Sequence, residues 1–274
     1  MDPSFGSVVI GFAVVAAVLW PLEWWRPGVP GQPRWRRDSA TDLLYWVFTP
    51  LVSGAVARLA VIVAVVLLAL RAGSSFDRPA IAAYVSAGGV VQRQPTWLQV
   101  VEVLLIGDLI GYATHRLFHG RRLWKFHAVH HSSTQVDWLS SVRLHPVNDV
   151  LSRVAQALPI VLLGYPPTIV AAYVPLLSFY AIFLHANVPW DFGPLRWVVA
   201  SPAFHRWHHA REAEGQGKNF AGLFPFIDAT FGTLHLPRDR RPETFGVAGH
   251  PVPSGLLGRL WYPFARERRG ARSG

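Results

Sequence analysis

Eight of the chain's twelve histidines fall in three short sets: His115-x-x-x-His119, His127-x-x-His130-His131 and His205-x-x-His208-His209. Residues three and four apart share one face of a helix, so this spacing aims two or three imidazoles at one point. That is metal-binding geometry. An ion takes roughly four to six ligands, so eight histidines in three sets can hold more than one ion. All-imidazole coordination of two ions suits iron, and zinc also fits it. Other metal chemistries drop out on residue type. The chain has no Cys, which removes disulfides, thiolate sites and Cys-ligated iron–sulfur clusters. It has no HExxH for a zinc protease and no ExxH for a soluble carboxylate di-iron bundle. Haem takes one or two axial ligands, not eight clustered ones.

Single residues add to the sets. His185, in FLHANVPW, ends an apolar run on the side of the clusters, and His145 stands in VRLHP. Both are candidate ligands. His235 (GTLHLP) and His250 (AGHPVP) read as structural or surface loop residues. Asp108, Tyr112, His115 and His119 lie at i, i+4, i+7 and i+11, on one helical face. Asp108 is placed to accept from a ligand's second ring nitrogen and fix its tautomer, or to pair with an Arg from another segment.

The elements that carry these residues are membrane helices. The chain is 51% hydrophobic and only 15% charged, where a soluble domain carries about 25% charged residues. Residues 3–22 hold no charge and are long enough to span as a helix. No Lys or Arg precedes them and no small-residue cleavage site follows, so they read as a retained span. Trp20, Trp24 and Trp25 stand at its end, where an aromatic belt belongs. The loop 26–39 carries Arg26, Arg34, Arg36 and Arg37, which places it inside. A second apolar run covers 43–70, with a kink expected near Pro50, and 71–96 reads as an outside loop. A third helix starts near Thr96 and runs into the first histidine set. Residues 154–184 are uncharged and divided by GYPP, which predicts a helical hairpin. The tail 265–274 reads as a disordered basic end near anionic lipid. The net charge of +10 does not mark a nucleic-acid binder, because the basic residues sit between apolar runs rather than along one stripe.

These stretches resemble the membrane fatty acid hydroxylase/sterol desaturase superfamily of histidine-rich di-iron oxygenases. The resemblance lies in DLIGYATHRLFH, WKFHAVHHSS, VRLHP, FLHANV, SPAFHRWHH, KNFAG and IDATFGTLHLP, within about residues 108–237. It implies that His115, His119, His127, His130, His131, His205, His208 and His209 are iron ligands, with His185 as another. It also implies a cap of cytoplasmic helices over four membrane helices. Substrates of the family are acyl chains, sterols and related lipids, oxidised with O2 and reducing equivalents. Two departures stand out. Pro189 occupies the place where some members have a second histidine, which leaves a tenth ligand to His145 or to a water held by Asn187. Ile227-Asp228 replaces a Trp-Asp pair before FGT. No fused electron donor is present, so a separate reductase system is implied.

The fold expected is thus all-α and polytopic, with about four transmembrane helices and a cytoplasmic His-rich cap holding a di-metal centre. Three regions are expected: 1–100, N-terminal membrane helices; 101–240, catalytic; and 241–274, a basic tail. The function expected is hydroxylation, or desaturation, of an alkyl chain of a lipid or sterol-like substrate. The other readings are a non-catalytic metal-binding scaffold, or a related enzyme acting on ether lipids or carotenoids. Asp108, Tyr112 and Asn187 are the candidate catalytic residues beside the ligands. Tyr112 and Trp138 are candidates to line a lipid groove built from 168–184 and the first two helices. Arg143 and Arg206 would hold a headgroup or pair with Asp108 or Asp137. The ratio of 24 Arg to 2 Lys points to a bacterial source and hence the inner membrane.

Overall fold

The computed structural model describes residues 4–86, 90–248 and 252–265. Among them every regular element is helical, apart from one bridge between Ala210 and Phe245. Helix α1 (Phe5–Trp25) starts where the Ser4 hydroxyl accepts the Ser7 N–H. Helices α2 (Ser39–Phe48) and α3 (Gly54–Arg71) join through a π-helical turn at Thr49–Ser53 into one stretch. The irregularity expected at Pro50 is therefore a widened turn. Proline has no N–H to give, and the ladder slips by a residue around it. Helix α4 (Arg78–Ser86) and a 3-10 turn at Val90–Arg93 occupy much of what the sequence reads as a loop. Helix α5 (Thr96–Phe118) follows, then α6 (Trp124–His131), α7 (Pro146–Leu162), α8 (Pro167–His185), α9 (Pro202–His208), α10 (Pro225–Thr230) and α11 (Leu256–Trp261).

Helix α1, the α2–α3 rod, α5 and α8 are each long and apolar enough to cross a membrane. Their outward faces carry bare aliphatic side chains, such as Leu59 and Ile62 at 61% and 58% exposure. Water would not tolerate such faces over whole helices, whereas lipid does. The protein is an integral membrane protein. The predicted hairpin is α7 and α8, turning at Gly164, whose φ of +82° favours glycine. Helix α7 packs between α3 and α5. It reaches from the His127–Asn148 contact at one end to Tyr165 and Glu102 at the other. Helices α5 and α8 cross closely at Gly107, where any Cβ would overlap the Tyr173 hydroxyl.

The histidine-bearing segments meet the C-terminal ends of α1, α5 and α8 and the N-terminal end of α2. Glu23 of α1 accepts the N–H groups of Trp138 and Asn187 at 3.1 and 2.7 Å. Arg36, just before α2, donates two hydrogen bonds to Asp137 and pairs with Asp42. Arg143 binds Asp42 through two nitrogens at 2.7 and 2.8 Å. The aromatic rings of Phe12, Trp20, Trp46 and Trp138 close the same junction from the apolar side. The region 241–274 is not simply a tail. Helix α11 docks on α2, with Arg259 buried and paired to Asp38. The basic stretch 266–274 lies outside the described residues.

Candidate metal centre

Nine imidazoles converge in two groups. His115, His119, His127, His131 and His208 form one; His130, His185, His205 and His209 form the other. Within each group one ring nitrogen per residue lies within 4.8 Å of every other. The segment 205–209 has thus folded back onto the α5–α6 corner. The HxxHH sets do not aim three rings at one point. In α6 the i,i+4 pair His127/His131 serves the first group and His130 the second. In α9 the pair His205/His209 serves the second group and His208 the first. The two sets exchange their middle histidines.

The ring nitrogens that meet inside each group cannot be satisfied by one another. His115 Nδ1 lies 2.8 Å from the Phe220 carbonyl and His127 Nδ1 2.6 Å from the Asn148 side-chain oxygen. An oxygen of that kind only accepts, so both Nδ1 atoms carry hydrogen and both Nε2 atoms are lone pairs. Those lone pairs face each other at 3.0 Å. His185 Nδ1 and His208 Nδ1 are fixed likewise by the carbonyls of Ala181 and Lys218. In the second group the Nε2 atoms of His130, His185, His205 and His209 run in a chain of contacts at 3.1–3.2 Å. His205 and His185 each face two neighbours there, though one ring nitrogen has one direction to offer. His119 Nε2 and His208 Nε2 are buried without any partner. The nitrogens of each group gather closely enough for one ion to be shared among them. A metal ion fits both groups. A proton does not, because burial lowers the pKa of His127, His130, His131, His205, His208 and His209 far below the usual value.

The outer shell is made by backbone, and its anchors carry little mark in the sequence. Asp108 touches no imidazole. Its carboxylate accepts the N–H groups of Gly222, Leu223 and Phe224 at 2.7–3.1 Å. Asp228 accepts those of Phe220 and Ala221 at 2.8 and 2.9 Å, and the Thr233 hydroxyl. Five N–H bonds thus lock the loop whose Phe220 carbonyl orients His115. Asn219 sits beside it in the left-handed region, φ +58°, which Asn tolerates. Its amide binds Phe204 and His235, so the carbonyls of Lys218 and Phe220 reach two different histidines. Asn148 and Asp228 are the additions that sequence spacing alone does not single out.

Other candidates fall elsewhere. His145 joins neither group. It caps α7, accepting the Val147 N–H at Nδ1 and donating from Nε2 to the Leu260 carbonyl. Asn187 clamps the loop after α1, its side chain bonded to Val29 N–H and carbonyl at 2.9 and 3.3 Å. A Cβ on Gly28 would crowd this same clamp. The Tyr112 hydroxyl binds Thr233 and Arg116, and its ring packs on Phe220 and Phe231. Trp138 lines a cavity of about 310 Å³ with Trp20, Glu23, Trp24 and Asn187. Arg143 pairs with Asp42 rather than with Asp108 or Asp137, and Arg36 bridges Asp42 and Asp137. Arg206 donates to the Val136 carbonyl and lies over the Phe245 ring. His235 packs on Trp207, and His250 lies outside the described residues.

Residues 100–233 match the fatty acid hydroxylase family. An ornithine lipid hydroxylase of Rhizobium tropici is 31% identical over 64% of this chain and 53% of its own length. An alkylglycerol monooxygenase of Danio rerio is 30% identical over 63% of this chain and 37% of its own. Methylsterol monooxygenase 1 of Rattus norvegicus is 26% identical over 52% of this chain and 50% of its own. The chain spans about half or less of the length of these relatives. No solved structure matches it.

Proposed function

We propose that the chain is a member of the fatty acid hydroxylase superfamily and hydroxylates an alkyl carbon of a lipid or sterol-like substrate with O2. Two iron ions would be held, one by His115, His119, His127, His131 and His208, the other by His130, His185, His205 and His209. Zinc is the substitute that the same donors accept. The observation that carries the reading is the facing lone pairs of His115 and His127, which only a shared cation makes favourable. When bound, iron supplies the redox chemistry with O2 that an unactivated C–H bond requires. The balance is R–H + O2 + 2 electrons + 2 protons giving R–OH + H2O, with electrons from a separate reduced electron-transfer protein. The chain itself positions and dries the site. The carbonyls of Phe220, Lys218 and Ala181 and the Asn148 side chain hold the rings so that lone pairs face inward. Phe204, Phe220 and Leu184 wall the site with apolar surface.

Arg26, Arg34, Arg36 and Arg37 stand on the histidine side, which by the charge rule is the cytoplasm, here of a bacterial inner membrane. The names of the relatives favour hydroxylation over desaturation. The alkylglycerol monooxygenases support a second reading, oxidation of an alkylglycerol. Metal analysis of the purified protein tests the proposal. About two irons per chain are expected, with losses in His130→Ala and His208→Ala. O2 uptake with reductant and lipid extract separates an enzyme from a metal-binding scaffold. A folded, metal-free protein overturns the reading. Lipid profiles of cells with and without the gene identify the substrate.

A further inference from the structure

A second cavity, about 180 Å³, opens between the loop after α1 and the loop after α8. Its charged lining is four arginines, Arg206, Arg238, Arg240 and Arg241, against one acid, Asp191. Asp191 is already paired with Arg196 at 3.2 Å, and Arg240 with Glu214 at 2.7 Å. Arg238 and Arg241 form no ion pair among the described residues. Arg206 is only 4% exposed, yet its Nη2 is buried with no hydrogen-bond partner. Arg241 stands near enough to act on it as a like charge. Glu23 and Asp137 offset part of the Arg206 charge, but Arg238, Arg241 and the unused Arg206 Nη2 leave the cavity with spare cationic donors, which suit an anion. The level of the cavity suggests the source. Gly28 and Val29 of its lining follow α1 directly, just past Trp24 and Trp25, which are 70% and 71% exposed. Exposed tryptophans at a span's end mark the headgroup layer.

We propose that this cavity binds the phosphate of an anionic lipid headgroup, held by Arg206, Arg238 and Arg241. The site borders the second histidine group through Arg206, the neighbour of His205. It stands on the membrane placement of α1 and α8, and its test reads binding, so it fails or holds separately from the proposed oxidation. The full chain in detergent is titrated with dioctanoyl phosphatidylglycerol, dioctanoyl phosphatidylcholine and inorganic phosphate, with bound lipid read by native mass spectrometry. Phosphatidylglycerol is expected to bind more tightly than phosphatidylcholine. The surface double variant Arg238→Ala/Arg241→Ala is expected to weaken it about tenfold or more, with an unchanged melting temperature. Arg206→Gln should lower it further, and Arg211→Ala, a surface arginine outside the lining, should leave it unchanged. Displacement by millimolar inorganic phosphate assigns the site to free phosphate, and resistance assigns it to lipid. The proposal is overturned if the double variant binds like the parent, if Arg211→Ala weakens binding equally, or if phosphatidylcholine binds as tightly as phosphatidylglycerol.

Discussion

His115 Nε2 and His127 Nε2 stand 3.0 Å apart with both of their Nδ1 hydrogens committed outward. Five further N–H bonds, to Asp108 and Asp228, hold the loop behind His115 in place. The fold therefore holds like against like, and a cation is what reconciles them.

Removing metal should destabilise the protein markedly. A ligand at about a thousand times its dissociation constant contributes about 4 kcal/mol, or a shift of roughly 8–16 °C for a chain of this size. Thermal unfolding in detergent, before and after chelation and again after iron is restored, measures it. An unchanged transition would mean that no ion is held.

Asn148 governs His127 from outside the group. Asn148→Ala leaves the ring free to turn and should lower metal affinity about 10–100-fold. Asn148→Asp keeps an acceptor at the same place and should retain metal. Metal per chain against chelator concentration distinguishes the two.

Asp108→Asn exchanges one accepting oxygen for a donor, which leaves at least one of the three N–H groups facing an N–H. The loop 220–224 should loosen, at a cost of about 2–4 kcal/mol. Because Asp108 acts through the loop, excess iron should restore metal content while the loop stays open to protease. A carboxylate touching a ligand would give the opposite pattern. Limited proteolysis in saturating iron decides between them.

His145 predicts a pH effect unrelated to metal. Burial lowers its pKa below 6.5, and its neutral ring both caps α7 and donates to Leu260. As pH falls below 6.5 the unfolded chain binds the proton first, so stability falls until the folded ring is also protonated. His145→Asn keeps a cap acceptor without titrating. Its melting temperature should fall less than the parent's between pH 6.5 and 5.

Much of this was readable from local pattern. The four spans follow from long apolar runs with few charges, and the hairpin from GYPP. The division of each HxxHH set was readable too. At about 100° per residue, His127 and His131 lie about 40° apart, while His130 and His131 diverge by about 100°. Likewise His145 before Pro146 is the pattern of a helix start, with Pro at the first helical position. What stayed hidden comes from backbone. The carbonyls of Ala181, Lys218 and Phe220 have no residue type, and Phe220 comes to His115 from 105 residues away. Asp108 shares a face with the ligands, but only the fold shows that its carboxylate serves a distant loop.

The exchange of middle histidines between α6 and α9 ties the two groups mechanically. Each helix has candidate ligands in both, so an ion seated in one group would stiffen both helices and lower the ordering cost of seating the next. Loading would then be cooperative: half-filled protein should stay scarce across an iron titration, and a chain short of iron should divide into empty and complete molecules.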